Sequence, residues 1–268
     1  MQCNPAIRKQ QCFLDSVSKF ALLAVLAASL GACATKPNSN DITGSIQSPF
    51  RATANDPRAE TERLGQAYQA QPADPETAIA YAQALRRSDQ NAQAVAVLEQ
   101  AALKNPKHKG VLGEYGRALA EVGRLQQALD VLSRAHTPDR PDWRILNAQG
   151  AIQDQLGNYR EARRYYQTAL KMAPEEPAIL SNLGLSYILS KDLKQAETTL
   201  RRAAANPRAE KRVRQNLALS LALQGKFDEA EKIAAGDLPP EEASANIAAL
   251  RDMIRQQQQP RNIPRTQS

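Results

Sequence analysis

The sequence repeats itself every 34 residues, and this period constrains the fold more than any other feature of the chain. Three columns of residues share the spacing. The first contains Ala94, Ala128, Ala162, Ala196 and Ala230; the second contains Leu64, Leu98, Leu132, Tyr166 and Leu200; the third contains Ala67, Ala101, Ala135, Ala169 and Ala203. A period of this length predicts a solenoid, in which each unit buries its apolar face by stacking on its neighbours.

Residues 143–176 illustrate what one unit contains. Gly157 interrupts a helical pattern, and Ala162 and Tyr166 then follow at the i, i+4 spacing of one helix face. Pro174 closes the unit, because proline is not tolerated in a helix interior. The pattern predicts two antiparallel helices joined by a tight turn.

A fourth column places small residues on the first helix of each pair. It contains Ala82, Gly116, Gly150, Gly184 and Ala218. Small residues allow two helix axes to approach to about 8 Å. We expect the larger leucine and tyrosine side chains of the second helix to lock each pair.

These columns resemble those of the tetratricopeptide-repeat (TPR) family over roughly residues 57–236. The best stretch is LGNYREARRYYQTALKMAP, while Gln149, Arg140 and the early Pro207 depart from the family pattern. The resemblance implies an all-α TPR solenoid, a right-handed superhelix of antiparallel helix pairs. Full units are expected to start near Pro75, Lys109, Trp143, Pro177 and Lys211.

The expected solenoid occupies residues 56–238, a half repeat followed by about five units. A further helix is expected at 239–257, because prolines and acidic residues mark a helix start there and an apolar stripe follows. The stripe consists of Ala243, Ile247, Leu250 and Ile254. It favours a capping helix, although a helix that binds a partner is the alternative. Residues 258–268 are expected to be a disordered tail.

The amino terminus has the pattern of an export signal. Three basic residues precede the apolar run 20–32, which is shorter than the roughly 20 residues of a spanning helix. The run ends in Leu30-Gly31-Ala32-Cys33, which resembles the lipobox of bacterial lipoproteins. This predicts a cleaved signal peptide at 1–32, lipidation of Cys33 and a flexible tether at 33–55. An ordinary cleaved signal with an incidental cysteine is the alternative.

The residue after Cys33 is Ala34 rather than the aspartate associated with inner-membrane retention in some bacteria. The expected location is therefore the outer membrane, facing the periplasm and held by the lipid anchor. Two or more acyl chains anchor a protein stably without a spanning helix.

Composition argues against catalysis and nucleic-acid binding. Residues 1–32 contain three basic residues and one acidic residue, so their removal lowers the formal net charge from +7 to +5. The basic runs contain no interleaved aromatic residues. The other cysteines, Cys3 and Cys12, lie in the predicted signal peptide, and no metalloprotease or phosphate-loop motif occurs. We expect no enzyme activity, cofactor, metal, small-molecule substrate or nucleic-acid partner.

In the TPR family, positions 2, 5, 9, 12 and 13 of each first helix line a concave groove, and we call these positions the groove columns. By this resemblance the groove is polar and basic at one end and apolar at the other. The residues of the polar end are Arg86, Arg87, Arg117, Arg144, Asn147 and Asp154; those of the apolar end are Leu185, Ile188, Leu189, Leu219 and Leu223. Such a groove suits a peptide with an acidic end and an apolar anchor. Coverage of the apolar stripe by the carboxy-terminal helix is the alternative.

The stretch RVRQNLALSLALQGKFDEAEKIAAGDLPPEEASANIAALRDM, residues 212–253, resembles the TadD family, the TPR lipoproteins of tight-adherence (Tad or Flp) pilus systems. This implies a factor that helps to assemble the pilus machine, with its outer-membrane secretin or other pilus subunits as partners. Two alternatives remain. One is a pilotin-like or general envelope assembly lipoprotein, and the other is an adaptor for periplasmic cell-wall enzymes.

Overall fold

The computed structural model describes residues 57–137 and 139–258, where the chain forms twelve α-helices and no β-strand. The helices are α1 (Pro57–Ala70), α2 (Pro75–Arg87), α3 (Asn91–Lys104), α4 (Lys109–Glu121), α5 (Leu125–Ser133), α6 (Trp143–Gln155), α7 (Tyr159–Met172), α8 (Pro177–Leu189), α9 (Leu193–Ala204), α10 (Lys211–Leu223), α11 (Phe227–Ala234) and α12 (Pro240–Gln258). The predicted signal peptide, Cys33 and the tether lie outside the described residues, as does the predicted tail at 258–268 except for Gln258, which ends α12.

The predicted all-α solenoid of helix pairs is confirmed. Each first helix, namely α2, α4, α6, α8 and α10, begins at the unit start that the TPR resemblance implies, and we number the units 1 to 5 accordingly. Side chains cap several of these starts. Asp74 accepts the backbone N–H of Thr77 at 2.7 Å, and Asp142 accepts that of Arg144 at 2.8 Å. Such caps satisfy amides that have no partner within the helix.

The turn inside each unit uses a left-handed residue at the same column. Gly123, Gly157 and Gly225 have φ angles of 78°, 80° and 80°. Asp89 and Lys191 adopt the same turn with φ angles of 59° and 64°. The left-handed residue therefore recurs every 34 residues, even in the two units that lack glycine, the residue that favours this conformation.

Each helix pair closes around the predicted contact between a small and a large side chain. A Cβ atom added to Gly150 would lie 2.5 Å from Cε1 of Tyr166, and one added to Gly116 or Gly184 would overlap Leu132 or Leu200. The large partners are fully buried, with Tyr166 only 1% exposed. The glycines thus permit the close helix approach that the columns predict.

Helices without a complete unit cover both ends of the solenoid. At the amino end, the Tyr68 ring on α1 stacks on Tyr81 of α2 with centroids 5.6 Å apart. At the carboxyl end, α12 contacts α10 and α11 and buries Ala243, Ile247 and Leu250. The carboxy-terminal helix therefore caps the solenoid. Among the described helices, none has the length and apolar character needed to cross a bilayer.

Candidate functional site

Two neighbouring depressions lie on the first helices of units 1 to 3. The first has a volume of about 540 Å³ and is lined by Gln83, Arg86, Arg87, Asn91, Glu114, Arg117 and Glu121. The second has a volume of about 520 Å³ and is lined by residues of α2, α4, α6, the end of α7 and the connection before α6. Glu114 and Arg117 belong to both. The groove columns of these units therefore contribute to adjoining depressions.

The first depression is polar, but its charges are paired. Arg86 contacts Glu114 at 2.8 Å and donates through Nε to Glu121 at 2.7 Å. Arg117 also pairs with Glu114, whose side chain is only 12% exposed. Arg87, which is exposed, pairs with Glu60 at 3.1 Å. The expectation of a basic surface at this end needs correction, because three of its arginines are bound to carboxylates.

These pairs also tie the units together. The hydrogen bond to Glu121 raises the pKa of Arg86, and burial opposes that shift. Since Arg86 lies on α2 and both of its carboxylate partners lie on α4, the cluster bridges units 1 and 2. Glu114 and Glu121 were missing from the sequence-based site. Glu121 could have been predicted from the sequence, because it lies 34 residues after Arg87 in the same groove column.

Asp154 does not belong to the accessible groove. Its carboxylate is buried, 8% exposed, and accepts hydrogen bonds from the Tyr166 hydroxyl and the Ser186 hydroxyl, both at 2.7 Å. Burial raises its pKa to about 6, while the bonds from Ser186 and Tyr166 lower it. The prediction that Asp154 is a groove ligand is corrected: it joins α6, α7 and α8 at the boundary of units 3 and 4.

Asn147 likewise takes part in a contact between units. Its Oδ1 accepts a hydrogen bond from Nδ2 of Asn182 at 3.0 Å. One unit later, Nδ2 of Asn216 donates to the Ser181 hydroxyl at the same distance and the same sequence separation of 35 residues. These side chains form a repeated polar contact between successive first helices, which fixes their register.

The second depression is centred on Trp143, and we call it the Trp143 pocket. The Arg144 guanidinium lies 4.5 Å from the centroid of the Trp143 ring, within range of a cation–π interaction. Arg144 is exposed, as expected for a groove residue. His136 and Arg140 reach the pocket from the connection between α5 and α6. Sequence reasoning placed neither residue in a site, because this connection lies outside the groove columns.

The apolar end of the predicted groove lies on α8 and α10. Leu185, Ile188, Leu189, Leu219 and Leu223 are all half-buried. They are thus neither sealed in the core nor fully exposed, and their role as a partner-binding surface remains a prediction. No group of three or more His, Cys, Asp or Glu side chains within the described ranges could hold a metal ion.

Comparisons with known proteins agree with this geometry. A tetratricopeptide-repeat profile matches residues 147–211, and a profile of anaphase-promoting complex subunit 3 matches residues 62–135. A search of curated protein sequences finds no significant match.

Several solved structures share the fold. PilW, described as a widely conserved type IV pilus biogenesis factor, aligns with a TM-score of 0.63 at 17% identity, covering 72% of this chain and 91% of PilW. PilF of Pseudomonas aeruginosa aligns with a TM-score of 0.54 at 18% identity, covering 72% and 90%. A chain of the APC/C hetero-tetramer Cut9–Hcn1 aligns with a TM-score of 0.62 at 15% identity. That alignment covers 75% of this chain but only 40% of the other.

At these identities the structural likeness establishes the fold alone. Neither matching profile is named for a catalytic activity. Together with the helix pairs and their 34-residue columns, the profile match over residues 147–211 shows that the described solenoid is similar to tetratricopeptide-repeat proteins.

Proposed function

We propose that this protein is a lipid-anchored scaffold that helps to assemble a Tad/Flp-type pilus machine. In this proposal Cys33 carries the lipid, the protein faces the periplasm from the outer membrane, and the partner is the secretin of the machine. The observation that carries a binding role is the pair of adjoining depressions on the first helices, which leave about 520 and 540 Å³ accessible beside the groove columns.

Two further observations support the choice of a pilus system. PilW and PilF share the TPR fold over nine-tenths of their own length, and PilW is a type IV pilus biogenesis factor. Residues 212–253 resemble the TadD family, and Leu30-Gly31-Ala32-Cys33 resembles a lipobox. The proposal combines these resemblances with a surface suited to bind protein.

The groove columns offer different chemistry along the solenoid. Units 1 and 2 present arginine–glutamate pairs, unit 3 presents the Trp143 pocket, and units 4 and 5 present half-buried leucines. A partner that crosses these units would bury apolar side chains against Leu219 and Leu223 and place polar groups on Arg86 and Arg117. Buried apolar contacts and arginine contacts are the usual centres of binding energy in protein interfaces.

Affinity capture from detergent-solubilised envelopes tests this function. The bait is the full chain, and Cys33→Ser is the matched control because it leaves the solenoid unchanged and removes the thiol that would carry the lipid. We expect mass spectrometry to identify a secretin or other pilus-assembly subunits with the wild type. We expect the control to lose its membrane attachment and to recover less secretin.

Recovery of cell-wall enzymes in place of pilus proteins would contradict the pilus assignment. An unchanged membrane association of Cys33→Ser, together with no incorporation of a clickable fatty acid into the wild type, would contradict the lipid anchor.

A further inference from the structure

The Trp143 pocket exists because unit 2 departs from the regular repeat. Its second helix, α5, has only 9 residues, whereas α3 and α7 have 14 each. The chain between α5 and α6 is correspondingly longer and brings His136 and Arg140 to the pocket wall. Arg140 stands in the column that holds Pro72, Pro106 and Pro174.

Glycines leave room beside this wall. Gly110 and Gly113 stand in the groove columns of unit 2, where other units have side chains, and both line the pocket. A pocket of about 520 Å³ lies within the size range of protein sites that enclose small ligands. It is therefore large enough to receive one or two side chains of a bound peptide.

The charges around the pocket favour an anion. Its lining includes the cationic side chains of Lys109, Arg117, Arg140 and Arg144 and the carboxylates of Glu114 and Asp142. Both carboxylates are already engaged. Glu114 accepts from Arg86 and Arg117, and Asp142 accepts the backbone N–H that begins α6.

Of the remaining cations, Lys109 interacts electrostatically with the carboxylate of Asp139. Arg140 and Arg144 form no ion pair with a carboxylate in the described part of the chain. Arg144 instead lies over the Trp143 ring, which holds its guanidinium at the pocket. A fixed guanidinium loses less side-chain freedom when it binds a carboxylate.

One buried polar atom in the wall is also unsatisfied. His136 Nε2 lies 3.3 Å from Oε1 of Gln149, whereas Nδ1 is buried and has no hydrogen-bond partner. Buried polar groups in folded proteins nearly always have a partner, so an exception calls for an explanation. Since Nδ1 is closed to solvent, it marks a departure from ordinary packing in the pocket wall and is not counted as a ligand contact.

We infer that the Trp143 pocket binds an acidic segment of the protein partner, with carboxylate side chains contacting Arg140 and Arg144 beside the Trp143 ring. This inference rests on the proposed function, because it assigns one place on the solenoid to the partner and names the chemistry recognised there.

The pocket can be observed directly, because Trp143 is the only tryptophan of the chain. The full-length protein in detergent is titrated with a blocked peptide of alternating glutamate and glycine, while tryptophan fluorescence is recorded. The same peptide with glutamine in place of glutamate is the control. We expect a saturable change with the glutamate peptide alone, weakened by salt as charge pairing requires.

Charge reversal locates the site. We expect Arg140→Glu and Arg144→Glu each to weaken binding about tenfold or more, since each turns an attraction into a repulsion. Arg160→Glu is the matched control, because Arg160 is exposed and lies on the second helix α7, outside the groove columns and the pocket lining. It should bind as the wild type does. Circular dichroism checks folding, and Arg140→Gln provides a milder variant if a reversal unfolds the protein.

An equal response to both peptides, no saturable response, or an equal loss with Arg160→Glu would overturn the inference. Secretin capture that survives Arg140→Glu and Arg144→Glu would reject the pocket and leave the scaffold function standing. Peptide binding without capture of any pilus protein would support the pocket and reject the proposed pilus function.

Discussion

At the scale of single residues, Asp154 shows how a side chain that looks like a ligand becomes a structural link. The sequence places it in a groove column, but the Tyr166 and Ser186 hydroxyls draw its carboxylate into the boundary between units 3 and 4. Burial of a carboxylate disfavours its charged form, which raises its pKa from 3.8 to about 6 in the folded protein. The stability of this boundary should therefore depend on pH.

Asp154→Asn should remove this dependence. The folded state holds the Asp154 proton more tightly than the unfolded state does, so the contribution of Asp154 to the free energy of unfolding is greatest below its unfolded pKa. The contribution falls as pH rises towards about 6 and is constant above it. Between about pH 4 and about pH 7 the wild type should lose up to about 3 kcal/mol relative to Asp154→Asn.

Urea unfolding of both proteins across this range measures the difference. Comparison with the variant separates the effect of Asp154 from that of carboxylates whose pKa shifts the other way. Glu197 is an example, because its hydrogen bond with Lys226 lowers its pKa to about 2. Parallel stability curves for the two proteins would contradict the assignment.

At the scale of helices and units, the 34-residue period together with the TPR resemblance was enough to predict where the first helices begin. The prediction succeeded because each unit packs against similar neighbours, so the residues of one column share one environment. One column forms the left-handed turn, another requires a small side chain and a third requires a large one. Pro75 and Lys211 start their helices as the period requires, although their side chains have nothing in common.

The period was less informative about the site. Glu114 lies outside the groove columns, and its pairing depends on Arg86 in the preceding unit, a contact that no single column contains. The His136 and Arg140 wall of the Trp143 pocket arises where the repeat is broken, so a consensus pattern cannot predict it. Function in this chain is expected at such departures from the repeat.

Gly150→Ala tests the close helix approach inside a unit. The added methyl would lie 2.5 Å from Cε1 of Tyr166, and that ring is held because its hydroxyl donates to Asp154. Overpacking of this kind costs about 1–3 kcal/mol and should outweigh the roughly 1 kcal/mol that alanine gains over glycine in a helix. We expect a net loss of up to about 2 kcal/mol in chemical denaturation.

Gly113→Ala is the matched control on the neighbouring first helix. Its added methyl would meet only Cδ1 of Ile145, the movable end of a flexible side chain, at 2.9 Å. This variant should be as stable as the wild type or more stable by up to about 1 kcal/mol. If both variants lost stability equally, the small-residue column would not be the cause.

At the scale of the whole described solenoid, the groove columns change character from one end to the other. Paired charges in units 1 and 2 give way to an aromatic and cationic pocket at unit 3, and then to half-buried leucines in units 4 and 5. The ends are covered by α1 and α12, and the two depressions lie on the first helices of units 1 to 3. A long partner segment could contact all five units at once.

The central claim, that the groove columns hold a pilus-assembly partner, is tested most directly by photo-crosslinking in intact cells. The photoreactive residue p-benzoylphenylalanine replaces Gln83 or Leu219 in the groove columns, or Gln100 or Thr168 on exposed positions of second helices as controls. We expect Gln83 and Leu219 to yield crosslinks to the secretin, identified by mass spectrometry, and the two control positions to yield none. Crosslinks to the secretin from the control positions alone, or none from any position, would contradict the account.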